Sequence, residues 1–291
     1  MATYLERLAA RAAATGSVLC VGIDPDPGAL PAGFSPDVAG VERFARLLVE
    51  ASVPVATAFK PNVAFFEALG SAGVAALERV RATIPAGIPV IADVKRGDIE
   101  STVARQAVAL FDGLGVDAVT ANPYLGLRAL DAFVERDDRF AYVLCRTSNP
   151  GAGELQDLAV AAEPATGAPV EALHRRVARR IAESGLGARA GLVVGATAPA
   201  ELASIRELVP GLAFLVPGVG AQGGDVEAVL ASGRALVAPA GGRPGGGLLV
   251  NVSRGISAAA SRTAEGGIVA DPGQLLADAA RVWASRLPVL S

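Results

Sequence analysis

The chain has 291 residues, of which 52% are hydrophobic, and its mean hydropathy is +0.43. That is enough apolar material for a large core and enough length for one barrel or two smaller domains. Basic and acidic residues nearly balance, 26 against 29, with no basic block, which argues against a nucleic-acid partner.

In chain order, Leu5, Leu8, Ala9 and Ala12 form a helical stripe interrupted by Glu6, Arg7 and Arg11. This is not the basic-then-apolar order of a secretion signal. A strand over 18–23 ends at Asp24, and a Pro/Gly-rich loop leads to a helix over 41–51. A second strand, 55–59, ends at Lys60-Pro61-Asn62, and a helix is expected over 65–80. The apolar run 88–92 reads as a third strand, delivering Asp93-Val94-Lys95-Arg96-Gly97-Asp98. Alternation along that strand puts Asp93 and Lys95 on one side, while Asp98, past a glycine, stands at the start of a helix over 99–111. Strands over 116–120 and 140–145 follow, with a helix over 127–134 between them. About twenty residues then separate Asn149 from a helix near 170–184, longer than an ordinary loop and typical of a lid or binding segment. Strands over 191–195, 213–216 and 248–252, with helices over 199–208, 226–231 and 274–285, complete the series.

The strand starts recur about every 33 residues, a βα unit. Eight such units predict a single (β/α)8 TIM barrel over residues 1–291, preceded by an N-terminal helix. The longest uncharged stretch, 208–224, is broken by Pro and Gly, so no membrane span is expected. Cys20 and Cys145 lie in apolar strands without CxxC spacing and read as buried free thiols, consistent with the cytoplasm.

Chemistry in such barrels gathers at the C-terminal ends of the strands. Here those ends carry Asp24, Lys60, Asp93 with Lys95, Asn122, Ser148, Thr197, Pro217-Gly218-Val219-Gly220 and Ser253-Arg254. Gly218-x-Gly220-x-x-Gly223 matches a dinucleotide fingerprint, but no acid follows at the end of the next strand. The glycines instead suit close approach of backbone amides to a phosphate, with Gln222 and Arg254 as side-chain donors. His174, in the polar run 171–176, is expected to face solvent. Proton transfer then falls to Lys, Asp or Glu. A lysine between two carboxylates keeps its ammonium form and suits protonation of a carbanion.

These residues resemble the orotidine 5′-phosphate decarboxylase family, and more narrowly its longer bacterial branch (type 2). The matching segments are Gly22-Ile23-Asp24-Pro25, Phe59 through Glu67, Ala92 through Ile99 with Thr102, Asn122 through Gly126, Thr147-Ser148-Asn149-Pro150, Val216 through Gly224 and Asn251 through Ile256. The resemblance implies cofactor- and metal-independent conversion of orotidine 5′-phosphate to UMP and CO2 in de novo pyrimidine synthesis. It implies that Lys95 protonates C6 and that Asp93 sits beside the substrate carboxylate. Lys60 then contacts the ribose and holds the charge array. Asp98 and Thr102 enter the partner's site across a homodimer interface. Asp24 binds ribose, Ser148 the pyrimidine amide, and Gln222 and Arg254 the phosphate, with Pro217 also among the substrate-binding residues. Neither Asn122 nor the loop Gly241–Gly247 receives a role. Two other readings stay open: a Mg2+-dependent hexulose-phosphate synthase-like aldolase on the same barrel, and a non-catalytic nucleotide sensor.

Overall fold

The computed structural model describes residues 2–162, 167, 169–220, 223–261 and 271–290. Helix α1 (Tyr4–Thr15) begins at a capping box, in which Thr3 accepts from the Glu6 amide and Glu6 accepts from the Thr3 amide, and ends at left-handed Gly16. The chain then runs β1 (Leu19–Ile23), α2 (Val38–Ser52), β2 (Ala58–Pro61), α3 (Val63–Glu67), α4 (Gly70–Thr83), β3 (Ile91–Arg96), α5 (Glu100–Ala107) and β4 (Ala118–Ala121). It continues through α6 (Asp131–Val134), β5 (Phe140–Arg146), α7 (Gly153–Gln156), the short strands β6 (Ala159–Val160) and β7 (Glu171–Ala172), α8 (Leu173–Glu183) and β8 (Ala190–Val194). The last elements are α9 (Pro199–Leu208), β9 (Phe214–Pro217), α10 (Val226–Gly233), β10 (Leu248–Val252), α11 (Arg254–Ser257) and α12 (Pro272–Arg286).

Eight parallel strands pair in the order β2-β1-β10-β9-β8-β5-β4-β3. The ring closes through parallel bridges Phe59–Val90 and Asn62–Asp93, so the predicted barrel is present. Alternating strand residues divide the core in two. One cluster fills the barrel interior, including Cys20, Ala58, Ile91, Ala118, Tyr142 and Leu249; the other packs the outer strand faces against the helices. Tyr4, Leu5 and Leu8 of α1 belong to the interior cluster, so this helix stoppers the N-terminal end. The loop Gly241–Gly247 finishes the same closure. Gly245 and Gly247 have left-handed φ values of 76° and 67°, and a Cβ on Gly245 would lie 3.3 Å from Ala12 and Val18. Its glycines therefore serve packing at the end remote from the site. Cys20 and Cys145 are buried free thiols, each pushed up to about 12 by burial. Among the described residues, no helix is long and apolar enough to cross a membrane.

Several boundaries differ from the sequence expectation. The second strand starts at Ala58, because the Val55 and Ala56 amides both bond to the Ser52 carbonyl at the end of α2. The third starts at Ile91, because the Val90 amide bonds to the Asp117 carboxylate. The 65–80 helix is two helices broken at left-handed Gly70, and the 99–111 helix widens after Ala107 into a π turn. The 127–134 helix opens with a 3-10 turn over Leu127–Leu130. The long connection after β5 carries α7 and an antiparallel ribbon, β6 with β7.

Candidate active site

The C-terminal ends of the strands surround a cavity of about 400 Å³. Asp24, Lys60, Asp93, Lys95, Ser148, Pro217 and Arg254 of the expected set all line it. Gln222 lies outside the described residues. Asp98 and Thr102 do not line the cavity, and Asn122 turns to its own backbone, accepting from the Tyr124 amide at 3.0 Å.

Asp93 is the centre of the charged end. One of its carboxylate oxygens accepts from Lys60 Nζ at 2.5 Å; the other accepts from Lys95 Nζ and, at 3.0 Å, from the Thr120 hydroxyl. Burial alone would favour the neutral acid, yet the Lys60 and Lys95 ammonium groups hold this carboxyl well below the usual carboxylate range. Lys60 is 4% exposed, and burial alone would favour its neutral amine. The Asp93 and Asp24 carboxylates outweigh that and raise its pKa above the ordinary lysine value. Two opposite charges, Lys60 and Asp93, therefore persist together in a nearly dry setting, while the Lys95 side chain remains 53% exposed toward the cavity.

The expectation that Asp93 and Lys95 share one side is met by an irregular route. Lys95 has a left-handed φ of 49°, the only non-glycine residue with positive φ among those described. Its strand bulges against β4: Ala92 pairs with Val119 and Arg96 with Ala121, so four steps on β3 face two on β4. Gly97 follows because a Cβ there would fall 2.3 Å from the Asn122 carbonyl oxygen. Asp98 does not cap α5, whose N-cap is Ile99; among the described residues it accepts only from the adjacent Ile99 amide, at 2.7 Å. The helix expected from residue 99 begins at Glu100, because the extended Ile99 sets the first turn one residue later. Asp98 instead borders a surface groove with Ile99, Glu100, Ser101, Leu125 and Arg128, beside Tyr124, which is 82% exposed.

The opposite end of the cavity is built by two glycine-bearing loops. Gly218, Gly220 and Gly223 all have positive φ, and the Gly224 amide closes back on the Gly218 carbonyl at 3.0 Å. Arg254 opens α11 and has no ion-pair partner among the described residues. Trp283 of α12 braces both loops: its indole N–H donates to Gly255 O at 3.1 Å, and a Cβ on Gly220 would crowd its ring at 3.1 Å. Between the two ends, Asp24 and Asn251 each present a buried oxygen with no hydrogen-bond partner among the described residues. Orphaned acceptors in a cavity wall call for ligand donors such as hydroxyl groups. Thr120 and Trp283 carried no motif signal, and Asn251 had one only as the first residue of the matching segment Asn251 through Ile256. Trp283 had a weaker cue, being the chain's single tryptophan.

His174 corrects its expectation. It is 5% exposed, and Nδ1 lies 2.9 Å from Gln156 O and 3.2 Å from the Asp157 carboxylate. The segment after β5 folds over it, with Asp157 also paired to Arg146 at 3.0 Å. Gln156, in turn, lines the cavity and bonds Thr147. Ser148 sits tightly against Gly195, where any Cβ would come within 2.7 Å of its amide.

Comparison with known proteins identifies the family. Residues 17–267 match the model of the orotidine 5′-phosphate decarboxylase / HUMPS family. A protein from Herpetosiphon aurantiacus named orotidine 5′-phosphate decarboxylase is 44% identical over 254 residues, 87% of this chain and 88% of its own. A protein of the same name from Halorubrum lacusprofundi is 45% identical over 255 residues, 87% of each chain. The solved structure of Leishmania donovani OMP decarboxylase is 36% identical and superposes with a TM-score of 0.78, covering 98% of this chain and 96% of its own. The chain belongs to the orotidine 5′-phosphate decarboxylase / HUMPS family.

Proposed function

We propose that this chain decarboxylates orotidine 5′-phosphate to UMP and CO2, the last step of de novo UMP synthesis, within one barrel formed by residues 1–291 and in the cytoplasm. The observation that carries the reading is the Lys60–Asp93–Lys95 array at the cavity wall, with Asp93 held ionised between two ammonium groups. Breaking the bond from C6 to the carboxylate leaves its electron pair on C6 as a vinylic carbanion. A fixed ammonium beside that carbon stabilises the charge as it develops. Lys95 then transfers a proton to C6, and Asp93 and Lys60 hold Lys95 in place. Asp93 stands beside the departing carboxylate. Asp24 meets the ribose, Ser148 the pyrimidine amide, and Pro217, Gln222 and Arg254 the phosphate side. Binding energy from the remote phosphate orders the loops over the reacting carbon. The residues invoked supply the electrostatics and the proton themselves, so no cofactor is invoked.

Asp98 and Thr102 complete the site of a second subunit in a homodimer. Supporting this, Asp98 keeps one local hydrogen bond and borders a groove flanked by Ile99, 65% exposed, and Tyr124. The names of the relatives favour the decarboxylase over the aldolase reading. The test is the ultraviolet absorbance of the orotate ring after adding orotidine 5′-phosphate to the folded protein. The band decays if the reading is right; an unchanged band overturns it.

A further inference from the structure

The charged array depends on a backbone that an ordinary strand would not adopt, and one side chain accounts for that backbone. Thr120 on β4 is 2% exposed and lines the cavity wall. Its hydroxyl oxygen accepts from the Val94 amide at 2.9 Å and from the Lys95 amide at 2.9 Å, and its proton goes to Asp93 at 3.0 Å. A hydroxyl offers one donor and two acceptor sites, so all three are used. The bulge of β3 removes the ladder partners that these two amides would otherwise find on β4. A left-handed conformation is disfavoured for a lysine and persists only where its surroundings over-determine it.

We infer that Thr120 is a positioning residue of the decarboxylation reaction: its hydroxyl fixes the left-handed Lys95 backbone and the orientation of Asp93 at once, and so sets where the Lys95 ammonium stands. It touches no reacting atom. This rests on the decarboxylase reading for its kinetic consequence and on the three hydrogen bonds alone for its structural one. Valine has nearly the shape of threonine but neither accepts from the two amides nor donates to Asp93. Serine keeps the hydroxyl and loses only a methyl group.

The test compares Thr120→Val, Thr120→Ala and Thr120→Ser with the natural protein. In Thr120→Val, kcat falls on the order of 10- to 100-fold, the cost of misplacing a catalytic group by about an ångström. The affinity for UMP, gripped mainly at the remote phosphate, stays within about threefold. Thr120→Ser restores kcat to within about threefold of the natural value. Thr120→Ala reproduces the kcat loss and serves in place of valine should that variant not fold. Crystal structures of the variants read the clamp without turnover: Lys95 leaves positive φ in Thr120→Val or Thr120→Ala and keeps it in Thr120→Ser. If the natural protein does not consume orotidine 5′-phosphate, the decarboxylase reading fails while the crystallographic arm still decides the clamp. The inference is overturned if Thr120→Val and Thr120→Ala keep full kcat and the left-handed Lys95, or if Thr120→Ser is as impaired as Thr120→Val.

Discussion

Asp93 and Asp98 lie five residues apart in one segment and occupy opposite physical situations. Asp93 is a nearly buried carboxylate with two ammonium partners and a hydroxyl donor, all from its own barrel. Asp98 sits past the glycine that lets the chain turn, bonded among the described residues only to the next amide, in an open groove lined by exposed Ile99 and Leu125. A charge held by three partners is a fixed component of its own site. A charge with one local bond beside exposed apolar surface is available to another molecule. Two acids that look alike in a motif thus divide into one that organises the barrel and one directed outward.

That contrast can be broken from either side. The largest effect is expected at the lysine that Asp93 holds. Lys95→Ala should lower turnover by at least ~10³-fold, the scale of losing both a general acid and a fixed cation. UMP should still bind, since the loops proposed to hold the phosphate are those around Gly218 and Arg254; lost UMP binding would show that Lys95 organises the whole pocket. Next comes Asp98→Ala. It should cut activity severely while shifting the stability of the isolated subunit by no more than ~0.5 kcal/mol, because it removes one exposed local bond. A large loss of subunit stability would erase the distinction between the two acids.

The smallest effect is a stability difference with a defined pH dependence. Asp93→Asn leaves buried Lys60 with only Asp24 as counter-charge and should cost about 3 kcal/mol at neutral pH. The folded-state pKa of Asp93 is depressed, so its contribution is complete above the unfolded carboxylate value of ~4 and declines as pH falls below it. Lys60 is shifted upward, so its share is complete below the ordinary lysine value of ~10.4 and fades only as pH rises through the raised one. The gap in unfolding free energy between the natural protein and Asp93→Asn should therefore be level from pH 5 to 9, narrow on acidification below ~4, and narrow again as pH rises through the raised Lys60 value. Thermal or denaturant unfolding across pH measures it.

The barrel was legible because its signal is repetitive. Eight apolar runs at even spacing need only period and length, and the polar residues ending them fall at one mouth by geometry alone. The strand edges were less legible, since Val90, for example, gives its amide to the Asp117 side chain rather than to a neighbouring strand. His174 was misplaced because its own helix is polar; what buries it is the Gln156–Asp157 segment, which folds back over it from another part of the chain. Thr120 was invisible for a related reason. Nothing in an apolar strand marks a threonine whose hydroxyl meets a bulge on its neighbour. The N-terminal closure shows the converse: the Gly241–Gly247 loop received no role from the sequence, yet its glycines are demanded by contact with Ala12, Val18 and Ala240.

The central claim is that Asp93 and Lys95 serve their own barrel while Asp98 serves its neighbour's, and subunit mixing tests it most directly. Lys95→Ala and Asp98→Ala should each be inactive alone. After subunit exchange, half the dimers are mixed, and each mixed dimer holds one site with Lys95 from one chain and Asp98 from the other. Orotidine 5′-phosphate turnover should recover to about a quarter of the natural activity. A mixture whose subunits have demonstrably exchanged and which stays inactive would place Asp98 in its own barrel's chemistry and contradict the account.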